Sequence, residues 1–393
     1  MKEVVIVSAC RTPVAAFQGA YASLTALDLG VIAINQSISR AGIAPQDVDE
    51  VIMGCVLPAG LGQNPARQAM LRAGLPVQVG CVTVNKVCGS GLKAVMLAAQ
   101  AVACGDAEVV VAGGMESMTH APYLLMNQRG GQRMGDGKVV DSMVHDGLWD
   151  HLNNFHMGMS AELCADKYGV SRVDQDAFSL DSYEKSWRAD AEGRFRAQIV
   201  PVSIPQKKGE PKVVARDEGL RQSSLELLAR LKPAFKRDGG SVTAGNASSL
   251  NDGAAAVVVM SADKAKALGV KPLVRVGAQG AAGIDPKYVL VAPIHSIPKV
   301  CAKQGLAPRD IDLHEINEAF AASSLAVQRT LDLDPARINV YGGGLSIGHP
   351  IGASGARVLT TLIHAMKDRD AHLGMASLCL GGGEAVSLIV ENL

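Results

Sequence analysis

Apolar residues along this chain fall in short unbroken runs bounded by turn residues. Such runs predict strands at Val4–Ser8, Val48–Met53, Val109–Ala112, Ala254–Met260, Ile311–Ile316 and Met375–Leu380. The Val109 run is expected to end at Gly113-Gly114, and the Met375 run opens onto Gly381-Gly382-Gly383. Between them lie helical stretches. Leu24–Ser39 carries Asp28 on its polar side, Leu92–Ala103 is Ala-rich, and Val173–Gly193 is long and polar. Strand–helix–strand alternation with continuous apolar strands predicts an α/β protein whose sheet is covered on both faces.

The pattern is duplicated. Gly42-Ile43-Ala44-Pro45-Gln46-Asp47-Val48-Asp49 returns as Gly305-Leu306-Ala307-Pro308-Arg309-Asp310-Ile311-Asp312, with five of the eight positions identical. It reads as a helix C-cap at Gly, an X-Pro break and the start of a strand. Lys2–Val7 is echoed by Lys271–Val276 at nearly the same offset. A third echo pairs Val84–Leu92 with Gly348–Ala356, each expected to pass from a strand into a helix. Residues 120–245 fit neither copy and read as an insertion, with a loop or hairpin at Val200–Val214. The expected division is one half from 1–119 with 246–269, an inserted domain at 120–245, and a second half at 270–393. Insertions on rigid scaffolds commonly carry substrate contacts.

Composition narrows the function classes. At 393 residues the chain exceeds one ordinary core, and 48% hydrophobic residues exclude a disordered chain, a collagen or a coiled coil. Lys+Arg and Asp+Glu both number 38, so no whole-surface attraction to nucleic acid or anionic membrane is expected. No run of about 20 apolar residues is free of charge, and no membrane span is expected. The opening residues read as a strand rather than a signal peptide. None of the eight cysteines sits in a CxxC pair, which suits reduced thiols in a cytoplasmic compartment.

Four sites along the chain carry candidate chemistry. Cys88 falls at a strand end and a helix N-terminus between glycines, where the helix dipole and free N–H groups are expected to favour thiolate; the bland reading is a buried cysteine in a glycine-rich turn. His349 stands among five glycines in an expected exposed, close-packed turn, and an imidazole near a thiol can take its proton. Cys379 opens onto Gly381, whose N–H suits an oxyanion site. Asn317 and Glu318 end a strand, and a helix cap would explain them equally well. All four lie at predicted strand ends of the duplicated frame, where sheets of this type hold ligands. Their spacing lacks the close ligand pairs of a zinc site, so no metal is expected.

Four segments in order, Asn85–Lys93 around Cys88, Asn317–Ala321, Gly348–Gly355 and Cys379–Gly383, resemble the thiolases over essentially the whole chain. His156-Met157-Gly158 and Gly62–Arg67 make it most similar to the biosynthetic, acetyl-CoA-using branch. The resemblance implies two βαβαβαββ halves layered α/β/α/β/α, a loop domain for CoA, and a homotetramer. It implies reversible condensation of two acetyl-CoA to acetoacetyl-CoA and CoA, with no cofactor beyond CoA as substrate and product. It implies that Cys88 becomes acetylated, His349 activates it, and Cys379 exchanges a proton with the substrate α-carbon. Asn317, through a water, and His349 form one oxyanion hole; the N–H groups of Cys88 and Gly381 form the other. Ser248, His156, Met157, Leu148 and Arg221 match CoA contacts, while Ala319 and Phe320 match the acyl pocket. Two departures bear on the site: Leu227 stands where Ser is frequent, and Tyr341–Ile347 departs from the usual segment beside His349. A thiolase of longer 3-ketoacyl-CoA substrates, a non-catalytic acyl-CoA-binding protein and a fatty-acid-type condensing enzyme are the competing readings. The last group generally lacks the second cysteine.

Overall fold

The computed structural model describes all 393 residues. Nine strands form one hydrogen-bonded path: β1 Val4–Arg11, β2 Glu50–Gly54, β3 Gly80–Val84, β4 Val109–Ser117, β5 Asn251–Ser261, β6 Val274–Gly283, β7 Leu313–Ile316, β8 Leu373–Leu380 and β9 Glu384–Asn392. Their order is β7-β8-β9-β6-β1-β5-β4-β2-β3, with the two-residue strand Ala15–Ala16 beside β5. β2 runs parallel to β3 and β4, and β7 parallel to β8; the remaining neighbours are antiparallel. The halves meet where β1 pairs with β6, Val5 opposite Arg275 and Ile6 opposite Val274, so the echoed segments Lys2–Val7 and Lys271–Val276 lie side by side.

Eight helices matter for the site: α1 Ala26–Ala41, α2 Pro65–Arg72, α3 Ser90–Cys104, α4 Met157–Tyr168, α5 Arg172–Ala191, α6 Pro293–Lys303, α7 Ala321–Thr330 and α8 Ile351–Arg369. Alternate strand residues face opposite layers. Ile6, Val110, Val257, Leu378 and Leu388 pack with Leu92 and Val95 of α3 and Leu359 and Leu362 of α8 in a central core. Val5, Val111, Val258 and Met53 face α1 and α2 instead. Met375, Ile389 and Ile316 face α6 and α7. The result is a five-layer α/β/α/β/α stack. Apolar enough in composition to pass for a membrane span, Val87–Cys104 is the central core segment of this stack.

The Gly-x-Ala-Pro repeat does the same work twice. Gly42 and Gly305 take left-handed φ of 69° and 72°. Asp47 accepts from Ala44 N at 2.9 Å, as Asp310 does from Ala307 N at 2.8 Å. Asp49 Oδ2 receives the N–H groups of Glu108 and Val109 at the start of β4; Asp312 Oδ2 receives those of His372 and Leu373 at the start of β8. Each second aspartate thus clamps two neighbouring strand starts in register.

Two expectations need correction. β4 does not end at Gly113-Gly114 but runs on to Ser117. A Cβ at Gly113 would lie 2.1 Å from Ala255 O, and one at Gly114 2.1 Å from Gly352 O. The glycines admit close backbone approach rather than a turn. In the third echo, β3 precedes α3, but no strand precedes α8. Ile338 makes a single parallel bridge to His314. The Asn339 side chain replaces the missing strand partner: its Oδ1 accepts from Ile316 N and its Nδ2 donates to Ile316 O, both at 2.8 Å.

Between β4 and β5 lie α4 and α5 with several short hairpins, and Val202–Ile204 pairs with Lys212–Val214 as one of them. The polar helix α5 starts at a capping box between Ser171 and Asp174.

Candidate active site

The nucleophile candidate rests on a strained turn. Val87, just before Cys88, has φ 45°, a left-handed conformation that a β-branched side chain resists. Its neighbours hold it there. Asn85 Oδ1 accepts from Val87 N at 3.0 Å, and the Val87 carbonyl accepts from Ser90 N at 3.0 Å and Ser90 Oγ at 2.6 Å. A Cβ on Gly89 would lie 2.2 Å from Leu380 Cδ2, so the turn is packed directly onto the end of β8.

The third echo explains how the halves converge. A Cβ on Gly91 would lie 2.8 Å from Ala356 N, and one on Gly355 would lie 2.2 Å from Leu92 N. The first turns of α3 and α8 therefore touch backbone to backbone. Glu116, fully buried, locks the contact by accepting from Val56 N, Leu57 N and Gly352 N at 2.9 to 3.2 Å. Burial raises its carboxyl to about 7, opposed by those N–H donors.

Around this junction lies a cavity of about 520 Å³, with 17 hydrophobic residues among its 25 lining residues. Cys88, His349, Cys379 and Gly381 share it with Leu148, His156, Met157, Arg221, Ser248, Ala319 and Phe320. Asn317 stands just behind the wall, its Nδ2 3.3 Å from His349 Nε2. It caps no helix: α7 begins after Phe320, without a side-chain cap. His349 is 6% exposed rather than sitting in an open turn, because Gly348 lies on Asn251, whose Oδ1 accepts from His349 N at 2.9 Å.

The imidazole tautomer follows from its partners. Ser354 Oγ–H donates to Pro350 O at 2.8 Å, so Ser354 Oγ can only accept from His349 Nδ1–H, 2.6 Å away. Nε2 carries the lone pair and can act as a base, with the Asn317 amide N–H as its one side-chain neighbour. Burial, then the nearby Arg357 guanidinium, holds the imidazole down at about 3, hence neutral.

The thiols differ from the expectation of a resting thiolate. Burial pushes Cys88 up to about 11, although the Gly381 N–H and its own N–H pull the other way. Desolvation outweighs the helix terminus. Burial raises Cys379 as well, and the nearness of Cys88 adds to the shift. Both sulfurs rest as thiols beside a neutral base. Alkylation of Cys88 by iodoacetamide is therefore expected to accelerate continuously from pH 7 towards about 11. Adduct mass spectrometry reads this; a plateau below pH 8 contradicts it.

The CoA-contact candidates form the cavity's outer wall. His156 caps α4, its Nδ1 accepting from Gly158 N at 3.0 Å, and stacks on Phe235 at 4.8 Å between ring centroids. A Cβ on Gly158 would lie 2.3 Å from that Phe235 ring. Arg221 lies over the Tyr183 ring and donates to its hydroxyl. Ser248 N bonds Ala319 O at 2.9 Å, tying the chain's return from the insertion to the end of β7. Phe235, Glu116, Ser354 and Arg357 were not singled out in the sequence. Ser354 lies within the His349 motif and Arg357 one helical step beyond Ser354, so both could have been found by spacing; Phe235 and Glu116 carry no local signal. Leu227 is 54% exposed and does not line the cavity. Tyr341–Ile347 also lines none of it: Leu345 N bonds Glu318 and the Tyr341 hydroxyl bonds Asp368.

This duplicated fold, with a strained cysteine turn facing a histidine and a second cysteine from the other half, defines a thiolase, and the chain belongs to that family. The profile described as Thiolase, N-terminal domain matches residues 4–263, and Thiolase, C-terminal domain matches 270–392. Over all 393 residues of both chains it is 55% identical to an acetyl-CoA acetyltransferase of Pseudomonas aeruginosa, and 54% identical to one of Cupriavidus necator. The crystal structure of the Bacillus anthracis acetyl-CoA acetyltransferase superposes with a TM-score of 0.98 at 43% identity, covering 100% of this chain and 99% of that one.

Proposed function

We propose that the protein is an acetyl-CoA C-acetyltransferase, converting two acetyl-CoA into acetoacetyl-CoA and CoA, reversibly. The observation that carries this reading is the meeting of Cys88, His349 and Cys379 on one largely apolar cavity. His349 Nε2 takes the Cys88 proton as the sulfur attacks the first thioester. The Cys88 and Gly381 N–H groups receive the oxyanion, each such donor contributing roughly 3 kcal/mol. Collapse expels CoA thiolate, which takes the Cys379 proton and leaves as CoA, so Cys379 is now the thiolate. It removes an α-proton from the second acetyl-CoA. The enolate oxygen is held by protonated His349 and by Asn317 through a water. The enolate carbon attacks acetyl-Cys88, and collapse of that intermediate releases acetoacetyl-CoA. The Cys88 sulfur regains its proton from His349, so every group returns to its resting state.

Ser248, His156, Met157, Leu148 and Arg221 bind CoA, while Ala319 and Phe320 bound the acyl group. The chemistry calls on no metal or redox cofactor. We extend the reading to a homotetramer in the cytoplasm, supported by the eight unpaired cysteines. Exposed Val82 on the sheet edge and exposed Tyr123, Leu125 and Val139 on a paired hairpin also support it.

CoA-dependent cleavage of acetoacetyl-CoA tests the activity. Acetoacetyl-CoA is expected to react faster than longer 3-ketoacyl-CoA substrates; the reverse order replaces the short-chain reading. Light scattering coupled to gel filtration tests the tetramer.

A further inference from the structure

On the side of Asn317 away from the cavity lies a buried polar pair that the reaction above does not use. Arg357 on α8 is 1% exposed, and Glu315 on β7 is 2% exposed. Arg357 makes one hydrogen bond to protein, from Nη2 to Asn317 Oδ1 at 3.4 Å. Its Nε and Nη1 and both Glu315 carboxylate oxygens are buried without a protein partner. The two groups form no direct ion pair, yet Glu315 is the charge that most supports the guanidinium against burial. A core cation with a single bond is expensive to keep, and a hydrophobic replacement is often as stable.

What that bond does is choose an orientation. The Asn317 amide has an accepting end and a donating end, and a guanidinium can only donate. With Oδ1 turned to Arg357, Nδ2 must face His349 Nε2, 3.3 Å away. If the amide were reversed, its oxygen would face the Nε2 lone pair and could not donate to the water at the enolate oxygen. We propose that Arg357 is a positioning residue that fixes the Asn317 amide with its N–H groups towards the reacting oxygen. This rests on the reaction proposed above.

The enolate step should therefore depend on Arg357 more than Cys88 acetylation does. In Arg357→Gln, exchange of the acetyl-CoA α-protons with deuterium is expected to fall about 30- to 100-fold, the scale of a misplaced catalytic group. Exchange of labelled CoA with acetyl-CoA, which reads Cys88 acetylation, is expected to stay within about threefold at about pH 8, because burial is the larger cause of the neutral His349 and keeps it a base without Arg357; the KM for acetyl-CoA should stay within about twofold, since the cavity wall is untouched. Arg357→Lys should recover part of the loss. Equal loss of both exchanges, or loss of neither, overturns the proposal.

Should the single variant not fold, the double variant Arg357→Met/Glu315→Met removes both buried polar groups at similar volume and is read in the same way. Wild-type protein lacking both exchanges would refute the proposed reaction instead. A neutron structure of the folded double variant, in which the amide deuterons are visible, then decides this inference: an Asn317 amide reversed or turned away from His349 supports it, and an unchanged orientation overturns it.

Discussion

Replacement of Cys88 by alanine is expected to lower condensation and thiolysis by on the order of 10⁵-fold, the scale seen when a covalent nucleophile is removed. The residual rate would come from binding and the oxyanion donors. Mass spectrometry after incubation with acetyl-CoA should show an acetyl adduct on Cys88 in the wild type and none in the variant. The loss should not come from folding. The strained Val87 is held by Asn85 Oδ1 and Ser90, not by the Cys88 sulfur, so the turn survives. Melting temperatures of variant and wild type should agree within a few degrees. An unmodified wild-type Cys88 would point to a binding protein that kept the fold without the chemistry.

Cys379→Ser should separate the two halves of the reaction. Serine is close to cysteine in size, but its hydroxyl is too weak an acid to protonate CoA thiolate and, as an alkoxide, too costly to form in a buried site. Proton exchange at the substrate α-carbon and overall condensation are expected to fall about 10³-fold, within the range of a lost general acid–base group. Acetylation of Cys88 in a single turnover should persist, because His349 and the Cys88 and Gly381 N–H groups are unchanged and CoA, a good leaving group, can depart as the thiolate and take its proton from solvent. Normal α-proton exchange in this variant would remove Cys379 from the mechanism. A fatty-acid-type condensing enzyme, which works without the second cysteine, would show that result.

These expectations draw on a site that was partly legible in the sequence. Cys88, His349, Asn317 and Cys379 stand in four separate motifs at the ends of apolar runs, and chain order with glycine spacing is enough to find them. The pairing Gly91–Gly355 could be suspected from the third echo, but the touching of α3 and α8 there could not. Phe235 had no local signal, since its importance comes from stacking on His156 and from the absence of a side chain at Gly158. Glu116 lies inside a strand and acts on backbone N–H groups more than 50 residues away in one direction and more than 200 in the other.

Six of the nine strands, the duplication and the candidate reacting residues follow from the sequence alone, because hydrophobic periodicity and turn chemistry are local. Repeated aspartates that cap and clamp also act within or beside their own repeat. The protonation states were settled only by the tertiary structure. A helix N-terminus by itself favours thiolate at Cys88, yet burial between the two halves outweighs it and leaves a neutral thiol beside a neutral imidazole. Desolvation depends on what the rest of the chain places around a group, and no local pattern records it.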